Sequence, residues 1–237
     1  MCFINRNFYR STRLLLIVSG GFLMFSYVAC AGVTWLRFGS KSHRRSGRSG
    51  DTYLDDLIPN YDIDERFQLA ISAPAETVFA ATCRLDLLQS PLIQGIFKIR
   101  EAFLGGTWRR NRSPMGLVAL ANYWGWTAMI EEHGREIVFG AATRPWVAKP
   151  VFRGLKAQEF PGFCEKDYVK IAWTLRVDKL QQDRALVVTE TRAIATSRTA
   201  RRKFRFYWAL VAPGTALIRI VALREIKRQV ERLNGIS

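Results

Sequence analysis

The sequence predicts an α+β fold, in which an antiparallel sheet packs against a long C-terminal helix, with one membrane-spanning helix at the N-terminus. Five segments between residues 65 and 196 show the alternation or the turn boundaries of β-strands. Residues 198–237 instead repeat their apolar side chains at helical spacing. Near the N-terminus, 23 consecutive residues carry no charge, and a run of that length can cross a bilayer.

The positive charge of the chain is concentrated at its two ends. The net charge is +16 over 237 residues. Residues 1–50 contain 8 basic and no acidic side chains, and residues 198–237 contain 10 basic and 2 acidic ones, whereas the stretch between them is neutral. Cationic ends on a neutral body are typical of proteins that contact a polyanion, either nucleic acid or an anionic lipid surface.

The uncharged run Leu14–Leu36 predicts a membrane anchor after a basic tail at residues 1–13. As a helix it would be about 34 Å long, against roughly 30 Å for the hydrocarbon core of a bilayer. A cleavable signal peptide is the alternative, because Ala29-Cys30-Ala31 fits the small-x-small cleavage rule, although the run is longer than a signal core. Five basic residues follow the run and three precede it, which favours a cytoplasmic C-terminal body; cleavage would instead export that body.

Residues 37–64 are predicted to be a flexible linker, because their first half consists mainly of Gly, Ser and basic residues. The folded domain is then expected over residues 65–237. Its first strand is Glu65–Ala73, and a helix follows Pro74. A second helix begins at Pro91 and ends at a Gly-Gly pair. The buried stripe of this second helix is predicted to be Leu92, Ile96, Ile99 and Phe103.

The middle of the domain is predicted to be antiparallel sheet. Strands at Gly125–Glu132 and Arg135–Thr143 are joined by the turn residues His133-Gly134. Tyr168–Lys179 alternates so regularly that one face is expected to be dry and the other wet, and Ala185–Thr196 is its partner strand. The wet face is expected to carry Lys170, Thr174, Arg176 and Asp178.

The connection between these two hairpins, residues 144–167, contains three prolines and four aromatic residues. A connection of this length in a compact domain is typical of a lid or a binding loop. The alternative is that its aromatic residues fill the side of the core.

The run Thr189–Trp208, TETRAIATSRTARRKFRFYW, mixes arginine with aromatic residues, as nucleic-acid-binding arms do. On a helix that begins at Arg198, however, the i, i+3, i+4, i+7 rule of one buried face is followed by Phe204, Tyr207, Trp208 and Val211. The pattern continues beyond Pro213-Gly214, where a kink is expected, to Leu233. We interpret the run as the start of a long helix packed on the sheet.

Three stretches of the sequence resemble the SRPBCC superfamily, the START-like or helix-grip group of proteins. They are LAISAPAETVFAA at Leu69–Ala81, GREIVFGAATRPW at Gly134–Trp146, and the TETR of Thr189–Arg192 followed by the basic FRFYW helix start. The last two are similar to an uncharacterised bacterial branch of it. The resemblance implies a curved antiparallel sheet that grips the long helix around an apolar cavity, which in many members holds a lipid, sterol, hormone or polyketide. The N-terminal anchor departs from that mostly soluble family.

The leading hypothesis is a membrane-anchored binding module for a hydrophobic or lipid-like small molecule, held between the sheet and the C-terminal helix. The residues expected to line that cavity, each of which also fits plain core packing, are Phe139, Trp146, Trp173, Leu175, Tyr207, Trp208 and Val211. The basic residues expected at the anionic membrane surface are Arg37, Lys41, Arg44, Arg45, Arg201, Arg202 and Arg205.

The sequence contains no familiar catalytic motif. Its two histidines lie in the linker and in a hairpin turn, and its four cysteines lack metal-binding spacing, so we expect no metal and no cofactor. Glu190 and Arg192 share a strand face and are weak catalytic candidates if that face is internal. Two alternatives stay open: an enzyme of the polyketide cyclase or aromatase kind, and nucleic-acid binding through the basic helix.

Overall fold

The computed structural model describes residues 21, 25–38, 53–104, 114–233 and 235. The elements follow one another in the order α1 (residues 25–37), α2 (Tyr53–Leu57), β1 (Ile63–Ile71), α3 (Ala75–Arg84), a 3-10 turn (Leu87–Gln89), α4 (Pro91–Leu104), α5 (Leu117–Tyr123), β2 (Thr127–Glu132), β3 (Glu136–Thr143), β4 (Arg153–Gly154), β5 (Val169–Gln181), β6 (Arg184–Ala195) and α6 (Arg198–Leu233).

The strands form one antiparallel sheet in the order β1-β6-β5-β3-β2, with the short strand β4 paired to β3. β5 and β6 are the longest strands and lie next to each other within the sheet. Because successive side chains of a strand point to opposite sides, the sheet has two distinct faces. We call the face that contacts α6 the inner face and the opposite one the outer face.

Helix α6 packs on the inner face at both of its ends. Its first turn is capped by Ser197, whose Oγ accepts the backbone N–H of Ala200 at 3.1 Å. Phe204 follows and is fully buried in a cluster of strand residues. Near the other end, Ile226 and Val230 are buried against β1, β5 and β6. The cationic–aromatic part of the run, residues 198–208, is therefore helical, and an antiparallel sheet on a long C-terminal helix confirms the predicted α+β fold.

The outer face is also covered, which differs from the prediction. The apolar side chains that cover it come from α2 and the turn after it (Leu54, Leu57, Ile58, Tyr61) and from the connection after β4 (Leu155, Phe160). The strand positions predicted to be wet include Thr174 and Arg176, which are only 1% and 2% exposed. The predicted linker accordingly ends before Tyr53, and Phe160 of the long connection fills the side of the core.

Three further details differ from the prediction. β1 begins at Ile63, two residues before the predicted start. α5 was not predicted, because its seven residues are too few to show a helical period. Over residues 91–102 of α4 the buried residue is Ile93, whereas Leu92 and Ile99 of the predicted stripe are 47% and 60% exposed, because the helix turns a different side toward the core. The side chain of Phe103, also in the predicted stripe, is outside the described part of the structure.

The described part of the N-terminal apolar run, α1, lies against the first half of α6. The rings of Trp35 and Phe206 meet edge-on with centroids 4.5 Å apart, and the Tyr27 hydroxyl donates to the carbonyl of Leu210. Arg205 donates two hydrogen bonds, of 3.2 and 3.0 Å, to the carbonyl of Trp35, and its guanidinium lies 4.1 Å from that ring. The two helices are antiparallel, since later residues of α1 meet earlier residues of α6.

Among the described residues, α6 is the helix long and apolar enough to cross a membrane, with a mean hydropathy of 1.6 over its most apolar 18 residues. Only 11% of that stretch is buried, although α6 contacts the sheet at both ends. Most of the N-terminal half of the predicted anchor lies outside the described residues. The N-terminal spanning helix therefore stays a prediction.

Two glycines with positive φ offer a test of the packing. Gly125 and Gly134 have φ of +89° and +73°, but a Cβ at Gly125 would lie 2.4 Å from the carbonyl oxygen of Phe152, whereas nothing lies within 4 Å at Gly134. We expect Gly134→Ala to lower the free energy of unfolding by about 1 kcal/mol, the cost of the left-handed conformation. Gly125→Ala should cost clearly more, because the backbone at Phe152 must move. Urea denaturation followed by circular dichroism measures both, and equal losses would contradict the close approach.

Candidate ligand site between the sheet and helix α6

The inner face carries a group of aromatic side chains toward its β2 edge. Phe139 and Trp173 are opposite each other on β3 and β5, and their rings stack with centroids 4.5 Å apart and an angle of 17° between the planes. Trp126 meets Trp173 edge-on at 6.1 Å, and Phe152 lies 4.9 Å from Trp126. We call these four residues the aromatic wall. Phe139 is fully buried, whereas Trp173 is only partly buried.

Helices α3 and α5 cover the aromatic wall. Ala121 and Val118 of α5 pack against it together with Phe79 and Cys83 of α3. Burial raises the pKa of the Cys83 thiol, with a smaller contribution from the charge of Glu131. A thiol with a raised pKa stays protonated at neutral pH and is a poor nucleophile. Cys83 is therefore part of the packing and not a reactive group.

One charged side chain of α6 points into the inner face. Arg219 donates hydrogen bonds from Nη1 to the hydroxyl of Thr189 and from Nη2 to the hydroxyl of Thr191, both on β6. Thr191 is opposite Trp173 of the aromatic wall on one side and opposite Glu65 of β1 on the other. We call Arg219, Glu65, Thr189 and Thr191 the polar cluster. It adjoins the aromatic wall on the same face of the sheet.

The guanidinium of Arg219 is poorly hydrated. Desolvation lowers its pKa to about 10, and the charge of Glu65 acts in the opposite direction. The residue as a whole is only partly buried, like most of its neighbours on α6.

The structure separates the seven predicted ligand-site residues. One group lies on the inner face beside the polar cluster and consists of Phe139, Trp173 and Leu175. A second group packs around Phe204 at the start of α6 and consists of Trp146, Tyr207 and Trp208. Val211, between the two ends of α6, is partly buried. That any of them contacts a ligand stays a prediction.

The polar cluster itself was not predicted, although the sequence contains a signal for Arg219. It is the one charged residue between positions 206 and 223. It also falls at helical spacing from Ala212, Leu223 and Ile226, which are buried. A charge on the buried stripe of a helix needs partners, and this rule would have pointed to it. Glu65 had no comparable signal, because it begins a strand prediction and follows an acidic segment.

The two weak catalytic candidates, Glu190 and Arg192, lie on the outer face. Arg192 pairs with Glu190 at 2.8 Å and with Asp55 of α2 at 2.6 Å, and its guanidinium lies 5.0 Å from the centre of the Tyr61 ring. Arg66 approaches Glu190 from β1 at 3.4 Å. These charges satisfy one another beneath α2. They are on the opposite side of the sheet from the polar cluster.

A second buried charge on the outer face is Glu136, which is completely shielded from solvent. Its Oε1 accepts the hydroxyl of Thr174 at 2.5 Å, and Arg176 stands opposite it on β5. Desolvation raises the pKa of Glu136, and the Thr174 hydrogen bond and the charge of Arg176 offset only part of that increase. Arg176 in turn lies 3.0 Å from Asp178. Folding therefore buries the Glu136 carboxylate at a cost in desolvation free energy.

Two of the arginines predicted at the membrane surface bind other parts of the chain. Arg201 pairs with Asp62 at 2.7 Å beside an open surface pocket of about 330 Å³, and Arg205 holds the carbonyl of Trp35. Arg202 is exposed, and Arg37 ends α1. The remaining three, outside the described residues, are Lys41, Arg44 and Arg45.

No family model matches the chain, and no curated protein matches it. Solved structures to which it is similar include norcoclaurine synthase from Thalictrum flavum, at 12% identity, with 73% of this chain and 96% of that chain covered and a TM-score of 0.33. A hypothetical protein from Helicobacter pylori has 9% identity, coverage of 77% and 96%, and a TM-score of 0.36. A Streptomyces aromatase/cyclase has 11% identity, coverage of 72% and 94%, and a TM-score of 0.26. TM-scores this low do not establish a shared fold, so the architecture is assigned from the strand order and the contacts of α6.

The raised pKa of Glu136 predicts a pH-dependent change in stability. Between the ordinary carboxyl pKa and the higher folded value, the native state holds a proton that the unfolded state has lost, so stability falls as pH rises through this window. Glu136→Gln removes this loss. We expect the free energy of unfolding of the variant, relative to wild type, to increase on going from acidic to neutral pH.

Thr174→Val provides the matched comparison, because loss of its hydrogen bond should raise the pKa of Glu136 further. The free energy of unfolding of this variant should therefore depend on pH more strongly than that of the wild type. Urea titrations at a series of pH values measure all three proteins. A constant difference between Glu136→Gln and wild type across the series would contradict the assignment.

Proposed function

We propose that the protein is a membrane-anchored binding module that holds one hydrophobic or lipid-like small molecule between the inner face of the sheet and α6. The observation that carries this proposal is that Arg219 of α6 hydrogen-bonds to Thr189 and Thr191 on the inner face, next to the aromatic wall. Beside it, Trp173 is only partly buried although helices cover this face. An apolar wall with a few convergent polar groups is typical of small-molecule sites.

The anchor in this proposal is supported by α1. Phe25 and Leu36 are 72% and 76% exposed, and Phe206 of α6, which touches Trp35 of α1, is 68% exposed. The two helices thus share a large exposed apolar surface, which is unfavourable in water and typical of a membrane or protein contact. Because α1 is the end of the uncharged run 14–36, insertion of that run into a bilayer would bring this surface to the lipid.

The basic residues would then favour an anionic membrane surface. Arg202 is exposed near the start of α6, and Arg224 and Arg228 are exposed near its end. A basic side chain close to an anionic surface contributes about 1 kcal/mol of binding. The excess of basic residues after the uncharged run places the domain on the cytoplasmic side in this proposal.

A cyclase-like or aromatase-like enzyme is the second candidate, and Glu65 is the observation that favours it. Such an enzyme needs an acid with a partner inside the cavity. Glu190 is on the wrong face for this role, but Glu65 stands on the inner face beside Arg219. Incubation with a synthetic linear poly-β-ketone tests it by liquid chromatography and mass spectrometry. A cyclised product of unchanged mass, or a dehydrated product one water lighter, that does not form without the protein would support the enzyme. Recovery of only the starting compound and its spontaneous products would count against it.

The ligand site can be tested with the full chain in detergent micelles. After incubation with the total lipid extract of the expression host, we expect native mass spectrometry to show one retained small molecule per chain. Trp173→Ala removes one ring of the aromatic wall and should reduce the retained fraction. A loss of about 1.4 kcal/mol of binding free energy would lower the affinity about tenfold. Phe206→Ala removes an aromatic side chain from the outward side of α6 and should leave retention unchanged.

Circular dichroism checks that both variants fold. Equal retention by the two variants would place the ligand elsewhere in the protein. Absence of any retained molecule in the wild type would contradict the binding function.

The anchor can be tested by fractionation. We expect the full chain to sediment with membranes, to resist alkaline carbonate extraction, and to have the intact mass of all 237 residues. Placing arginine at Leu16 and Leu23 should release it, because each charge at mid-membrane costs about 2.5–3.5 kcal/mol. A measured mass that corresponds to a chain starting after Ala29-Cys30-Ala31 would identify a cleaved signal peptide. Extraction by carbonate would contradict the spanning helix.

A further inference from the structure

We propose that the folded domain contacts an anionic phospholipid bilayer through an apolar patch at the point where α4 meets α6. This inference rests on the membrane location in the proposed function and adds to it a second contact, made by the domain itself. It follows from four exposed aliphatic side chains, from the charges around them and from the lack of a cover over them among the described residues.

The two helices meet where a glycine faces an isoleucine. A Cβ placed at Gly214 of α6 would lie 3.2 Å from Cγ2 of Ile96 on α4. Residues 210 and 217 come four before and three after Gly214, and residues 92 and 99 stand in the same relation to Ile96. Side chains at these spacings share one face of a helix, so the contact is flanked on both helices by Leu92, Ile99, Leu210 and Leu217. We call these four residues the crossing patch.

The crossing patch is exposed. Leu92 and Ile99 are 47% and 60% exposed, and Leu210 and Leu217 are each 39% exposed. A Cβ placed at Gly95, between the two α4 members, would meet no neighbouring atom within 4 Å in the described structure. The helical pattern of α4 predicts that Leu92 and Ile99 are buried. A face with the composition of an interior is therefore left open.

Exposed apolar surface is concentrated on three helices that contact one another. Of the fourteen large apolar side chains that are exposed among the described residues, ten are on α1, α4 and α6. Such a concentration is unfavourable in water and typical of a membrane or protein contact. Because α1 and α4 both pack against α6, the crossing patch extends the apolar surface that α1 shares with α6.

The charges around the crossing patch have one sign. In the described parts of α4 and α6, eight basic side chains and no acidic one are exposed. Lys98 directly precedes Ile99, and Arg202 and Arg224 lie on the same face of α6, about two turns beyond the patch at each end. An aliphatic surface bordered by basic residues fits an anionic bilayer, which offers apolar chains beneath negative head groups.

A bilayer fits this composition better than the other two classes of partner. Nucleic acid attracts the same charges, but its interfaces are more polar and would leave four aliphatic side chains without apolar contacts. Protein partners favour aromatic side chains in the core of a contact, whereas the crossing patch contains only leucine and isoleucine.

Photo-crosslinking tests the contact on the full chain in vesicles of phosphatidylcholine and phosphatidylglycerol in equal parts. We expect Leu92→p-benzoylphenylalanine and Leu217→p-benzoylphenylalanine to gain the mass of one phospholipid on irradiation. Leu180→p-benzoylphenylalanine is the matched control, because Leu180 is 48% exposed, as Leu92 is at 47%, but lies at the end of strand β5. The control should keep its mass. Circular dichroism confirms that each variant is folded.

Vesicles of phosphatidylcholine alone test the role of charge. The phospholipid adduct at positions 92 and 217 should decrease, by up to about fivefold for each basic side chain that contacts anionic head groups. An equal yield in the two kinds of vesicle would overturn the assignment to an anionic surface.

Flotation of the vesicles reports the anchor separately, since an anchored chain floats whether or not its domain touches lipid. A floating chain with no more adduct at positions 92 and 217 than at 180 would overturn this inference and leave the anchor intact. A crosslink between two chains, or within one chain to residues 105–113, would also overturn it. A chain that neither floats nor forms an adduct would overturn both.

Discussion

The packing of one 36-residue helix on the inner face of the sheet is the constraint on which the rest of the structure depends. Phe204 anchors its first half, and Ile226 and Val230 anchor its second half, in separate buried clusters. Because both ends are fixed, Arg219 lies on the side of the helix that faces the sheet, where its guanidinium reaches Thr189 and Thr191. The strands beneath it supply hydroxyls and a carboxylate, so the polar cluster is a consequence of how the ends of the helix pack.

The two faces of the sheet use charge in different ways. On the outer face, Arg192 joins Glu190 to Asp55 of α2, and the apolar residues of the same segment close over the group. A buried ion pair of this kind adds little net stability, but removal of one partner is costly because the other is left unpaired. It therefore fixes the position of α2. On the inner face, Arg219 and Trp173 keep accessible surface, which separates the candidate site from the structural charges.

The sequence was informative where an element is long enough to show a period. α6 and β5 were predicted close to their observed limits, and the alternation of β5 correctly placed Trp173 and Leu175 on one face. α2 has only five residues, which is too few to show a helical period, so its cover over the outer face could not be predicted. Because α2 was not predicted, the ion pairs of Glu190 and Arg192 beneath it were not predicted either. Arg219 could have been found from its helical position, but its pairing with β6 depends on tertiary contacts that no local pattern contains.

Pro213 has a mechanical consequence for α6. Proline has no N–H, so the carbonyl of Ala209 lacks its usual partner, and the helix is weakened at this one point. The contacts with α1 that lie before it involve residues 204–210, while the sheet holds the helix beyond it at residues 223–230. A force applied to α1 would therefore be taken up by bending at Pro213, and the sheet-bound half would keep its register.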